Sequence, residues 1–272
     1  MSAADGRSVH RVMEFGIKGK RVLVTGGSYG IGRAIALALA DEGCRVAICA
    51  RGQQRLDATL ADIRAKGVES LVIAADATKP EDIRRVVDTV VRAWGGMDIL
   101  VNNVGGAGGR DTRPVEEVPE AQWLETYSRN ALAATRFTTQ VIPHMRQAKW
   151  GRVVSIVSVQ GKEGGGRPWY TMAKSAEIGL MKTLALNHDL ARVGITFNSV
   201  ASGRVLAEGN DWDQFRREDP KRFEETLKQR LPLGRCGTPE EVAVVVAFLC
   251  SAQASLVNGA CVAVDGGESY SF

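Results

Sequence analysis

Short apolar runs alternate with amphipathic helical runs along almost the whole chain, and no other feature restricts its fold as much. Spacing predicts seven strands, over 21–24, 45–50, 70–75, 98–102, 152–158, 195–199 and 260–264. Between them it predicts helices over 31–42, 53–66, 80–94, 117–148, 169–193 and 240–250. Strands that are apolar along their whole length are buried on both faces, which calls for a parallel sheet covered by helices on both sides. Right-handed crossovers then wind it as a Rossmann-like, doubly wound α/β fold. The length of 272 residues suits one domain of this kind. That domain is expected over 18–272, behind a loose, polar extension at 1–17. A charge-rich stretch at about 204–231 breaks the rhythm and reads as a substrate lid.

Charge and composition narrow the function. The net charge of +4 is dispersed, unlike the concentrated basic face of a nucleic-acid protein. No apolar run approaches the ~18 residues of a membrane-spanning helix, and the first residues lack the apolar core of a signal peptide. Cys44, Cys49, Cys236, Cys250 and Cys261 form no CxxC pair, and most sit inside apolar runs. Buried thiols in a reducing, cytoplasmic setting are therefore expected. His10, His144 and His188 lie far apart in sequence and show no metal-ligand spacing.

Two stretches carry chemistry. Thr25-Gly-Gly-Ser-Tyr-Gly-Ile-Gly32 follows the first strand and opens the first helix. Glycines at 26, 30 and 32 allow a tight turn and close approach of a pyrophosphate to the helix N-terminus. Tyr170 and Lys174 are spaced to share one helix face, about one turn apart. A phenol is a poor acid or base at neutral pH, but a nearby ammonium favours its ionised form. Such a pair can move a proton to or from an alcohol oxygen.

The glycine run, Asn102-Asn-Val-Gly105, Ser158 and the Tyr170-x-x-x-Lys174 pair, in this order, resemble the short-chain dehydrogenase/reductase family over about residues 18–267. The resemblance implies a catalytic set of Asn130, Ser158, Tyr170 and Lys174. It implies a dinucleotide held by Gly26, Ser28, Tyr29, Gly30, Ile31, Gly32, Asp76, Ala77, Asn103, Gly105, Gly203 and Val205, together with Tyr170 and Lys174. Asn130 is otherwise unfavourable in mid-helix. In relatives this Asn interrupts the helix, and its carbonyl holds a water that touches the Lys. Ser158 lies at the carboxyl end of the fifth strand, where such folds place active residues, and it would hydrogen-bond the substrate oxygen; Ser155, further back, reads as structural. Gln160 and Trp169 flank the mouth as candidate substrate residues. Trp169 either stacks on a substrate ring or braces the helix start.

The second strand ends in Ala50-Arg51-Gly52, with no carboxylate for ribose hydroxyls. Arg51 is read as a ligand of a 2′-phosphate, which favours NADP(H) over NAD(H). Two positions depart from the family: Ser202 stands in place of a Pro, and Ala207 in place of a Thr that touches the nicotinamide carboxamide. The reaction expected is reversible hydride transfer between nicotinamide and a carbonyl or secondary alcohol, in a homotetramer or homodimer. The alternatives are an NAD-dependent cyclic-alcohol or cis-diol dehydrogenase, and a non-catalytic dinucleotide sensor.

Overall fold

A computed structural model describes residues 14–107 and 113–271. Seven parallel strands form one sheet in the order β3-β2-β1-β4-β5-β6-β7. They are β1 (Arg21–Thr25), β2 (Arg45–Ala50), β3 (Ser70–Ala74), β4 (Ile99–Asn102), β5 (Gly151–Ser158), β6 (Ile195–Ser202) and β7 (Cys261–Val264). The order reverses between β1 and β4, so a crevice opens beyond their carboxyl ends, where ligands of open α/β sheets bind.

Helices α1 (Gly30–Asp41), α2 (Gln53–Arg64) and α3 (Pro80–Trp94) link the first four strands. α4 (Glu120–Tyr127), α5 (Ala133–Ala148), α6 (Val159–Glu163), α7 (Pro168–Ala185) and α8 (His188–Ala191) link β4 to β6. α9 (Asp211–Glu218), α10 (Pro220–Arg230) and α11 (Pro239–Cys250) stand between β6 and β7. One apolar cluster joins Ile35, Leu39, Val246 and Leu249 to one face of the sheet. A second joins Ile83, Val87, Phe137 and Met181 to the other. Both faces of the sheet are thus sealed, which is why the strands carry no polar side.

Most boundaries fall within one or two residues of the sequence reading, and four larger differences each have a physical reason. The helix predicted over 117–148 is two helices joined by one wide π turn at Ser128–Leu132. The helix predicted to run to 193 stops at Ala185, because the Asn187 side chain accepts from the N–H groups of Asp189 and Leu190 and starts α8. Strand β6 runs to Ser202, in register with Ser158 and Val264. The expected extension is shorter than 1–17: Ile17 is buried in the core, and Phe15 meets Phe248 edge to face at 6.5 Å. Residues 1–13, and Gly108 and Gly109 of the glycine-rich mouth, lie outside the described residues.

Candidate active site

At the head of the crevice β1 passes into α1 through the glycine loop. Gly26 and Gly30 have φ of +64° and +52°, a backbone that side chains disfavour. Gly32 cannot be replaced for a different reason: a Cβ there would stand 2.2 Å from the Gly26 carbonyl oxygen and 2.4 Å from Asn103 Nδ2. Asn103 donates from Nδ2 to the carbonyls of Thr25 and Gly26, at 3.0 and 3.1 Å, and so ties the end of β4 to the loop. The N-cap of α1, Tyr29, makes no side-chain cap, and no acid stands in the first turn. Open N–H groups at a helix N-terminus suit a phosphate.

A groove of about 590 Å³ extends from this loop and is lined by Ser28, Tyr29, Arg51, Asp76, Ala77 and Gly105, among others. Arg51 is exposed at its edge. Arg55 lines the groove too, stacked on the Tyr29 ring at 4.8 Å. Arg55 is not among the residues expected, though a second Arg in the first turn of the helix that follows Arg51 is a usable signal. Asp76 accepts from the N–H and hydroxyl of Thr78, at 3.0 and 2.8 Å, which hold its carboxyl below the usual range. The glycine loop and the groove that runs from it past Arg51 and Asp76 fit a dinucleotide. Gly30 and Ile31 form the first turn of α1, with the Ile31 side chain turned onto the core. Gly203 and Val205 lie just past β6, where Val205 bridges to Gly237.

The expected catalytic residues gather around α7. Ser158 ends β5 and caps α6, its Oγ accepting from the Gln160 N–H at 3.2 Å. Gly161 presses α6 onto α7: a Cβ there would lie 2.7 Å from Lys174 Cβ. Tyr170 is half-buried, and Lys174 Nζ lies 6.0 Å from its ring centre. Lys174 is only 3% exposed. Its ammonium donates to the Ile156 carbonyl at 2.9 Å and to Glu177 Oε1 at 2.8 Å. Burial works against that charge, but Glu177 and Tyr170 outweigh it and hold the amine above the ordinary lysine range. Ser155 is buried and accepts from Asn102 at 3.4 Å.

Asn130 is fully buried at the centre of the π turn. Its carboxamide donates to the Thr126 and Gly106 carbonyls and accepts from the Gly106 N–H. The wide turn is the break in helix continuity that a mid-helix Asn suggests.

Trp169 does not present a face to a ligand. It is 2% exposed, meets Trp123 edge to face at 5.9 Å, and donates from Nε1 to the Ala107 carbonyl at 3.3 Å. Of its two expected roles the brace is the observed one, because Trp123 and the chain at Ala107 cover the ring. Gln160 lies against the loop at Gly164–Gly166, three glycines with φ between +77° and +85°.

Ser202 has an N–H where a Pro has none, and it prolongs β6 beside β5 while its hydroxyl donates to the Val157 carbonyl at 3.3 Å. Ala207 faces the glycine loop, 3.6 Å from where a Cβ of Gly30 would be. Beyond it, α9 and α10 are anchored by Trp212, Phe215 and Phe223, whose rings pack on one another. These aromatics form a small core of their own with Leu231 and Cys236.

Comparisons with known proteins agree with this arrangement. The enoyl-(acyl carrier protein) reductase family model matches residues 26–269. The 3-oxoacyl-(acyl-carrier-protein) reductase of Staphylococcus epidermidis is 35% identical over 250 residues, covering 91% of this chain and 98% of the relative. The L-sorbose reductase of Gluconobacter frateurii, solved with NADPH and L-sorbose, superposes with a TM-score of 0.88 at 31% identity, covering 96% of this chain and all of that one. An actinorhodin polyketide ketoreductase solved with NADPH gives 0.85 at 34% identity, over 93% of this chain and 98% of that one. With a glycine loop at the sheet crevice, a Tyr–Lys pair beside it and relatives spanning nearly its whole length, the chain belongs to the short-chain dehydrogenase/reductase family, enzymes of nicotinamide-dependent carbonyl and alcohol oxidoreduction.

Proposed function

We propose that this enzyme is an NADP(H)-dependent carbonyl reductase, reversible as an alcohol dehydrogenase, with Tyr170 as its acid and base. The observation that carries this reading is the buried Lys174 ammonium beneath the half-buried Tyr170, next to the crevice. Arg51 and Arg55 support the choice of NADP(H), since they line the groove at the carboxyl end of β2, where residues 50–52 carry no carboxylate. Gly26, Ser28 and the first turn of α1 would hold the pyrophosphate, and Asp76 and Ala77 the adenine end. When bound, the nicotinamide supplies or accepts the hydride.

The protein's own groups do the rest. Tyr170 gives its proton to the substrate carbonyl oxygen in reduction and takes it back in oxidation. Ser158 turns its hydroxyl to the same oxygen and stabilises the charge growing there. Lys174 compensates the charge left on Tyr170. Asn130 fixes the wall at Gly106 that bounds the site. A chain with this complete set is an enzyme and not a dinucleotide sensor, which has no use for a proton path.

The test is kcat/KM over a panel of ketoses, β-keto esters, cyclic alcohols and cis-diols with each cofactor. A carbonyl substrate turned over with NADPH in preference to NADH is expected. Preference for NADH, or cofactor binding with no turnover on the panel, removes the reading. We also propose a homotetramer, supported by Val244 and Phe248, exposed apolar residues on α11; the molar mass in solution decides it.

A further inference from the structure

Glu177 follows Lys174 by three residues on α7 and was in neither the expected catalytic set nor the expected cofactor site. It is 0% exposed. Its Oε1 accepts from Lys174 Nζ at 2.8 Å, and its Oε2, equally buried, has no hydrogen-bond partner among the described residues. A buried carboxylate with one oxygen unsatisfied is costly, and such groups call for an explanation. No apolar residue of similar size would carry that cost.

The neighbourhood of the pair is almost free of other charge. Among the described residues, Tyr170 and Glu177 are the titratable groups that act on Lys174, and Lys174 is the one that acts on Glu177. β5 offers the neutral Ile156 carbonyl, and the chain beside the π turn offers Gly105. The charged side chains of α6, Lys162 and Glu163, act on neither member. Lys174 would therefore be a lone ammonium in a dry site without Glu177, and a lone buried ammonium gives up its proton readily.

We infer that Glu177 is a positioning residue for the reaction: the internal counter-ion that keeps Lys174 charged and draws its ammonium toward β5, beneath Tyr170. This rests on the reading of Lys174 as a member of the catalytic set. The pair titrates as a unit, so the two protons belong to Lys174 and Glu177 jointly. Burial pushes the Glu177 carboxyl up while Lys174 opposes it.

The experiment compares E177Q and E177D with the parent enzyme in the alcohol-oxidation direction, across pH. Gln keeps the hydrogen-bond acceptor and loses the charge. The expected result is that the alkaline limb of the kcat/KM profile moves to lower pH by about one unit or more in E177Q, and that E177D returns most of the way. A limb that stays in place in E177Q overturns the inference. A second readout needs neither cofactor nor turnover. E177L should lower Tm by leaving an unpaired buried ammonium, and K174M/E177L should regain it, since removing both partners removes the cost. Equal Tm in E177L and the double variant also overturns the inference, and this comparison still decides if E177Q fails to fold. K174M alone separates the two readings. If K174M keeps turnover, the catalytic role of Lys174 fails; if it abolishes turnover while E177Q leaves the limb unmoved, only the role of Glu177 fails.

Discussion

Asn130 and Lys174 converge on one backbone position. A Cβ on Gly105 would stand 2.5 Å from Asn130 Oδ1 and 2.9 Å from Lys174 Nζ. Residues that are far apart in sequence and on different elements thus bring their polar heads to the same point at the end of β4. Gly105 has an ordinary backbone there and is needed for space alone.

Gly105→Ala is accordingly expected to displace both heads. Misplacing catalytic groups by about 1 Å costs on the order of 10²-fold in rate. The variant should fold, with unchanged circular dichroism, and lose about that factor in kcat. A kcat within threefold of the parent would show that the two heads need not meet there.

Tyr170→Phe keeps the ring, and with it the packing, and removes only the proton carrier. Positioned acid–base catalysis contributes about 10²–10⁴-fold. A loss of kcat of at least that size is expected. NADPH binding, followed by its fluorescence, should be little changed.

Arg51→Ala tests the extra phosphate. A charge-assisted hydrogen bond contributes about 1.5–3 kcal/mol, and each 1.4 kcal/mol is about tenfold in affinity. The KM for NADPH should rise roughly tenfold or more and that for NADH should barely move. The double variant with Arg55→Ala should reverse the preference. Equal effects on both cofactors would place Arg51 away from the phosphate.

Acid stability depends in part on the start of α11. Arg235 and the Thr238 N–H bond to Glu241 and hold its carboxyl down at about 2. An ordinary Glu titrates near ~4.3. A depressed acid contributes stability that is complete above the unfolded value and lost as pH falls through the folded one. Tm should therefore fall between about pH 4.3 and 2, and Glu241→Gln should flatten that part of the decline while leaving the slope at pH 7 unchanged. An identical acid limb in the variant would remove this assignment.

Much of this was legible in advance because it is local. Strand runs that are mainly apolar on both sides specify a sheet covered on both faces, Gly26 and Gly30 mark a backbone that side chains disfavour, and Gly32 marks a place with no room for a Cβ. Tyr170 and Lys174 share a helix face by period alone. Asn130 betrayed itself by breaking the helix rule, and a π turn is where it sits.

Other features depend on who the neighbours are. Glu177 has the spacing of a common surface ion pair with Lys174, and periodicity cannot say that the fold buries it completely. Trp169 reads equally as a wall or a brace until Trp123 is brought against it from α4. Ser202 prolongs β6 because β5 and β7 lie on either side of it. Phe15 and Ile17 join the body because a helix more than 200 residues later presents Phe248.

Backbone preference and hydrophobic period act within a few residues, so the sequence alone determined the elements, their order, the glycine loop between β1 and α1, and the helical spacing that pairs Tyr170 with Lys174. Burial and charge pairing are set by segments distant in the chain. Only the tertiary structure therefore decided that Lys174 is buried, that Glu177 is its carboxylate partner among the described residues, and that Asn130 and Lys174 meet over Gly105.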